Sequence, residues 1–171
     1  VGFGHPVCSR LGDALEEGCA NLGIKISRGG TYLAMEGPQF STLAESNLYR
    51  DWNCDVIGMT NMPEAKLARE AEMCYATVAM VTDYDCWHEG EESVSVEMVI
   101  ENLRANAILA SKIVIATAKK VGTSRPKSPA HQALKDGLMT AKEKVPYATR
   151  KKLDLLTDKL IPKVIQQKYN I

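Results

Sequence analysis

The run Cys74–Val81 constrains the fold more than any other feature. It is eight residues without a charge, followed at once by Thr82-Asp83-Tyr84-Asp85-Cys86-Trp87. An apolar run of this length, rich in β-branched residues, predicts a strand covered on both faces. Two carboxylates and two aromatics then stand where that strand would run out into solvent. Open parallel sheets bind their ligands just beyond the carboxyl ends of their strands. The D-x-D pair is therefore the first candidate for chemistry.

The rest of the chain alternates in the same style. Leu11, Ala14, Leu15, Cys19 and Leu22 recur at helical spacing, and Gly23 ends that helix. Ile24–Ile26 reads as a short strand, and Gly29-Gly30 turns the chain into a second, Thr31–Met35. Glu36-Gly37-Pro38-Gln39-Phe40-Ser41 is a loop. Thr42 and Glu45 form a capping box that opens a helix expected to bury Ala44, Leu48 and Trp52. Asp55–Met59 is strand-like, and Thr60-Asn61-Met62-Pro63 leads into a helix with Leu67, Ala68 and Ala71 as its stripe. A long helix over Val96–Val121 carries Val99, Ile100, Leu103, Ala107, Ala110 and Val114 on one face.

Strands alternating with helices predict an α/β fold: a central sheet with at least some parallel pairing, flanked by helices. Residues 1–121 form the main body, 122–146 a Ser/Pro/Lys-containing connector, and 147–171 a basic helical tail. That tail has Leu153, Leu156, Leu160 and Val164 as its stripe and is bent or shortened at Pro162. Val1 opens the chain without a methionine, as expected of the C-terminal portion of a larger domain.

Composition removes several function classes. Twenty-one basic and 21 acidic residues balance, so no overall field favours nucleic acid or an anionic membrane. No apolar run approaches the ~20 residues that cross a bilayer. Five cysteines, Cys8, Cys19, Cys54, Cys74 and Cys86, have no C-x-x-C spacing. They predict reduced thiols in a cytoplasmic protein. Three histidines without ligand spacing predict no metal site, and His88 beside Glu89 reads as a solvated loop residue.

The site argument rests on convergence. Ser41 follows one strand, Met59-Thr60 ends a second, and Asp83 with Asp85 ends a third. In a parallel sheet these positions share one edge. A serine and a threonine just before helix N-termini suit an anion. Paired aspartates suit hydrogen-bond donors such as the edge of a heterocycle. Plainer roles stand beside these: Ser41 and Thr60 as helix caps, the aspartates as a solvated turn, and Phe40, Met59 and Trp87 as core.

Met35-Glu36-Gly37-Pro38-Gln39-Phe40-Ser41, Ala44-Glu45-Ser46, Asp55-Val56-Ile57-Gly58-Met59-Thr60-Asn61-Met62-Pro63-Glu64 and Thr82-Asp83-Tyr84-Asp85-Cys86-Trp87 together resemble the trimeric purine nucleoside phosphorylase family, in its methylthioadenosine branch. The resemblance runs in order from about Val1 to Lys120. It implies phosphorolysis of 5′-methylthioadenosine to adenine and 5-methylthioribose 1-phosphate, with inorganic phosphate as co-substrate and no cofactor.

By the same resemblance Asp83 is catalytic, hydrogen-bonding purine N7, and Asp85 accepts from the 6-amino group. Phe40 packs on the purine, Met59 lies under the ribose, and Ser41 and Thr60 contact phosphate or sugar. Val94, Val96 and Val99 line the base and methylthio pocket. The family's glycine-rich phosphate loop has no counterpart here, and His5 matches none of its residues. The expected partners are the N-terminal portion of the same enzyme and two further copies in a homotrimer. The alternatives are a phosphorylase preferring 6-oxopurines and a non-catalytic nucleoside-binding or assembly module.

Overall fold

The computed structural model describes residues 1–88, 96–123, 127–158 and 160, with the backbone alone at Val96. Two strands, β1 (Tyr32–Ala34) and β2 (Val56–Gly58), pair in parallel, with Tyr32 opposite Val56 and Ala34 opposite Gly58. Helix α1 (Ser9–Asn21) precedes them in the chain, α2 (Leu43–Asp51) lies between them, and α3 (Glu64–Glu70), α4 (Val96–Thr123) and α5 (Tyr147–Thr157) follow. The crossover from β1 to β2 is α2. That connection sends the chain ends after both strands to one side, as the sequence pattern requires.

Local chemistry sets the helix ends. Thr42 caps α2 by accepting from the Glu45 N–H at 3.2 Å, while Glu45 accepts from the Thr42 N–H at 2.7 Å, completing the expected capping box. Helices α1, α2 and α3 end on the same device. Ile24 N–H bonds Cys19 O and Gly23 N–H bonds Ala20 O, and the pattern repeats at Asn53-Cys54 and Glu72-Met73. The left-handed residue is Gly23, Asn53 or Glu72, each with φ between 55° and 70°. This explains why Ile24–Ile26 is not a strand: the amide of Ile24 is consumed in closing α1.

Tertiary packing centres on α1 against α4. Gly18 is buried, and a Cβ there would lie 2.9 Å from Thr117 Oγ1, so glycine permits the close crossing. Cys19 and Ile113, 1% and 2% exposed, fill the interface, and Lys120 Nζ meets Glu17 Oε1 at 2.6 Å on its rim. The inward face of α4 runs through Asn102, Asn106, Ile113 and Thr117. The expected stripe is displaced: Ile100, Leu103, Ala107 and Val114 are exposed, while Val99 and Ala110 are half-buried.

Two further stripes are corrected. On α2 the buried residue is Ser46, and Ala44, Leu48 and Trp52 face outward. The helix turns its polar side to the chain because a polar group waits there, as described below. On α3, Ala65 and Ala68 are buried, Ala71 is half-buried and Leu67 is exposed. Pro63 is its N-cap and lies just before the first turn. On α5, Leu153 is exposed and Leu156 half-buried, as is Leu160 beyond its end. Val94, Pro162, Val164, the side chain of Val96 and positions 124–126 of the connector lie outside the described residues.

The run Cys74–Thr82 does not pair as a strand. Its carbonyls are met by other groups: Cys8 N–H bonds Tyr75 O at 2.7 Å, Asn106 Nδ2 bonds Val81 O at 3.1 Å, and Asn102 Nδ2 bonds Thr82 O at 3.0 Å. Side-chain amides one turn apart on α4 thus do for this segment what a neighbouring strand would do. Thr77, Val78, Ala79 and Val81 remain exposed, so the run is not covered on both faces. Among the described residues no helix is long and apolar enough to cross a membrane.

Candidate active site

The loop after β1 and the loop after β2 meet beyond the carboxyl ends of their strands. Met35 N–H bonds Gly58 O at 2.9 Å, extending the pairing by one bond. Gly37, at φ +76°, brings its backbone so close to Met59 that a Cβ would sit 2.9 Å from the Met59 sulfur. Tyr32 lies across Gly58, where a side chain would collide with its hydroxyl, and reaches Thr60 Oγ1 at 3.2 Å. Ser41 Oγ rests 3.8 Å from the Met35 sulfur. These contacts gather Ser41, Met59 and Thr60 at one edge.

The run after Thr82 is fastened to α2. Ser46 Oγ donates to Asp85 Oδ2 at 2.7 Å, and Cys86 N–H donates to Asp85 Oδ1 at 2.9 Å. Cys86 Sγ reaches Ser41 O at 3.5 Å, and the Arg50 guanidinium lies 3.9 Å from the Trp87 ring centre. Asp85, Cys86 and Trp87 are therefore each held by α2 or the residue before its cap. Asp83 differs. It is exposed, and its Oδ1 accepts from Thr82 Oγ1 at 2.7 Å, while Asn102 holds the Thr82 carbonyl. Tyr84 stands exposed beside it and stacks on His88, with ring centres 4.5 Å apart.

The plainer roles fare unevenly. Ser41 and Thr60 are not caps, because Thr42 caps α2 and Pro63 stands at the start of α3. Phe40 and Met59 are not core: they are 82% and 42% exposed. Trp87 is half-buried under Arg50. The aspartates are not one solvated turn, since Asp85 is half-buried and bonded to α2. Val99 is half-buried on the first turns of α4.

Sequence reasoning missed Ser46 as a site residue, although it stands in the Ala44-Glu45-Ser46 segment. The signal was available: a serine in the middle of an otherwise amphipathic helix, where alanine is the better former. It also missed Asn102 and Asn106, whose spacing of four puts both amides on one helix face.

Two ionisable groups near these elements are shifted. The Thr42 backbone N–H and hydroxyl hold the Glu45 carboxyl below its usual range. At Cys8, burial opposes ionisation most strongly. Hydrogen bonds with Cys74, Ser128 and the backbone of Leu11 and Arg10 together outweigh it and hold the thiol below its ordinary value. Cys8 and Cys74 sulfurs are 3.0 Å apart, with His131 Nε2 at 3.5 Å from Cys74, in a cluster that joins α1 to the connector. Among the described residues no three His, Cys, Asp or Glu side chains are gathered as a metal site.

A hollow of about 190 Å³ lies in the C-terminal segment, bordered by Leu138, Val145, Pro146, Arg150 and Leu153. It is built wholly from residues beyond α4, and none of the groups at the strand ends lines it.

Comparison with known proteins places these elements in a family. S-methyl-5′-thioadenosine phosphorylase of Prochlorococcus marinus is 58% identical over 161 residues, which are 92% of this chain and 51% of that protein. The enzyme of the same name from Synechocystis sp. is 52% identical over 165 residues, 95% of this chain and 51% of its own length. The chain thus spans about half the length of the curated relatives it matches. A crystal structure of methylthioadenosine phosphorylase from an antarctic soil metagenomic library superposes with a TM-score of 0.85 at 44% identity. It covers 91% of this chain and 55% of that one. Methylthioadenosine phosphorylase from Schistosoma mansoni in complex with adenine superposes at 0.69 with 30% identity, over 79% of this chain and 52% of its own. Residues 2–119, which hold both strands, the D-x-D run and nearly all of α4, match the family profile, and the chain belongs to the phosphorylase superfamily.

Proposed function

We propose that this chain is the base-recognising portion of a 5′-methylthioadenosine phosphorylase. The observation that carries the reading is the fastening of Asp85 to α2 by Ser46, beside Cys86 on the Ser41 carbonyl. It gives one aspartate of the pair a fixed carboxylate while leaving Asp83 exposed a short step away. The relatives' shared name and the adenine complex of the Schistosoma mansoni protein support the substrate.

In this reading phosphate attacks the anomeric carbon of 5′-methylthioadenosine as the bond to N9 breaks. Adenine is a poor leaving group, so negative charge develops on its ring and must be met there. Asp83 shares a proton with N7 and assists departure as a general acid. Asp85 accepts from the 6-amino group. A 6-oxo base would face it acceptor to acceptor, and a buried unpaired pair of that kind is costly.

Phe40 covers one face of the purine, which would bury a ring now almost fully exposed. Met59 lies under the ribose, and Ser41 and Thr60 meet phosphate or sugar. Val99, half-buried on α4, offers an apolar surface suited to a thioether and unsuited to a 5′-hydroxyl; Val94 and Val96 are assigned to the same pocket by family resemblance alone. No cofactor is required. The remaining phosphate ligands come from the N-terminal portion of the same enzyme, in a cytoplasmic homotrimer.

The test is adenine release from 5′-methylthioadenosine by the full-length protein. Release that depends on phosphate and yields 5-methylthioribose 1-phosphate is expected. Absence of phosphate-dependent release refutes the reading, and a preference for 6-oxopurine nucleosides replaces its substrate.

A further inference from the structure

We propose that Ser46 is a positioning residue that sets purine selectivity by fixing the carboxylate of Asp85; this rests on the base-reading role of Asp85 proposed above. Ser46 is the fourth residue of α2 and is 1% exposed. A serine inside a helix ordinarily points to solvent or bonds the carbonyl four residues back. Here the Thr42 carbonyl takes the Ser46 backbone N–H, at 2.9 Å, while the side chain donates at 2.7 Å to Asp85 Oδ2, 39 residues away. A buried hydroxyl spent on a carboxylate in another segment is a specific arrangement, since alanine would be the better helix former at that position.

The geometry explains what the bond does. Asp85 has two oxygens, and each receives one donor: Ser46 Oγ on Oδ2 and the Cys86 amide on Oδ1. A carboxylate offers about four lone-pair sites, so further donors can still be accepted. With both oxygens pinned, the plane of the group is fixed and its remaining lone pairs point in set directions. The Arg50–Trp87 contact and the Cys86–Ser41 contact hold the same segment against α2 from either side. Of these contacts, the Ser46 bond alone reaches the carboxylate from another element.

Losing the donor has an asymmetric consequence. Without Ser46, Asp85 Oδ2 loses a partner and the carboxylate gains freedom to rotate about its last bond. A 6-aminopurine, which depends on an acceptor in a fixed direction, is weakened. A 6-oxopurine, which has no hydrogen to give at that position, loses little and suffers less repulsion. A residue that merely packs would weaken both purines alike.

The experiment measures affinities of the full-length protein for adenine and hypoxanthine by calorimetry, in wild type, Ser46→Ala and Ser46→Thr. The adenine preference is expected to fall by about tenfold in Ser46→Ala and to return in Ser46→Thr, which keeps the hydroxyl. Should Ser46→Ala fail to fold, Ser46→Cys keeps the size with a weaker donor and carries the same expectation. An equal loss for both bases, or an unchanged preference, overturns the proposal. The readout needs no turnover. Adenine binding that responds to Ser46 in a protein without phosphorolysis would therefore refute the proposed activity and uphold this role. Absence of any adenine preference in wild type would refute the base-reading role of Asp85 and this proposal with it, while phosphate-dependent release remains the separate test of the activity.

Discussion

Replacing Asp85 with asparagine tests the polarity of the base-reading edge. The Cys86 amide can only donate, so the new side chain must turn its carbonyl oxygen toward it and its NH2 toward Ser46. The Ser46 hydroxyl rotates to accept. The second hydrogen of the amide then points where the carboxylate had a lone pair, and the edge that accepted now donates. Loss of a charge-assisted bond to the 6-amino group costs about 1.5–3 kcal/mol, and a new neutral bond to a 6-oxo group contributes about 0.5–1.5 kcal/mol. The preference between the two bases should therefore move by about 2–4.5 kcal/mol, from about thirty-fold to about two-thousand-fold in kcat/KM ratio.

The assay compares kcat/KM of the full-length protein for 5′-methylthioadenosine and its 6-oxo analogue, with phosphate saturating. Asp85→Asn should lose activity on the first and gain relative to it on the second. Because the amide can satisfy both Ser46 and Cys86, the fold should be kept, and a thermal melt checks this. A ratio within about threefold of wild type would remove Asp85 from base reading and refute the reasoning.

Three other outcomes are expected. Asp83→Asn should lower kcat by about 10²–10⁴, the usual range for removing a general acid, with a smaller effect on KM; single-turnover rates check it. Ile113→Ala should cost about 2–5 kcal/mol in urea unfolding, whereas Val114→Ala, one residue on and 62% exposed, should cost less than about 0.5 kcal/mol. Equal effects would contradict the face that α4 turns to α1. For Glu45, whose folded carboxyl titrates below its ordinary value, the contribution to α2 is present above the unfolded pKa and lost as pH falls through the folded one. The stability advantage of wild type over Glu45→Gln should accordingly be present at neutral pH and vanish in acid, as followed by thermal melts.

Local signals in the sequence were reliable where the chemistry is local. The Thr42–Glu45 capping box, the Gly23 stop and the parallel partners of β1 and β2 all depend on residues a few positions apart or on simple strand–helix–strand order. Burial was harder to read. The apolar positions of α2 look like a core stripe, yet Leu48 and Trp52 are exposed and Ser46 is buried. Hydrophobic spacing reports which face can be buried, while a specific polar partner across the fold decides which face is. The same limit explains Cys74–Thr82. Its composition suits a buried strand, but ladder pairing requires a neighbour, and the carbonyls of Tyr75, Val81 and Thr82 are met by Cys8, Asn106 and Asn102.

The D-x-D run shows why a motif is less than a site. By residue type and spacing alone the two aspartates are equivalent, two residues apart on one element, and the family resemblance alone tells them apart. In the fold they diverge: Asp83 is exposed and, among the described residues, accepts from Thr82 in its own segment, while Asp85 is half-buried and tied to a helix 39 residues earlier. A group that must share a proton with a departing base benefits from mobility, since its bonding changes along the reaction. A group that must discriminate a donor from an acceptor benefits from rigidity, because a rotating carboxylate can evade the repulsion that rejects the wrong base. The proposed roles of Asp83 and Asp85 match this difference in restraint. Its source, Ser46, lies in the segment Ala44-Glu45-Ser46, so the information was present in the chain but carried no meaning until α2 and the run were brought together.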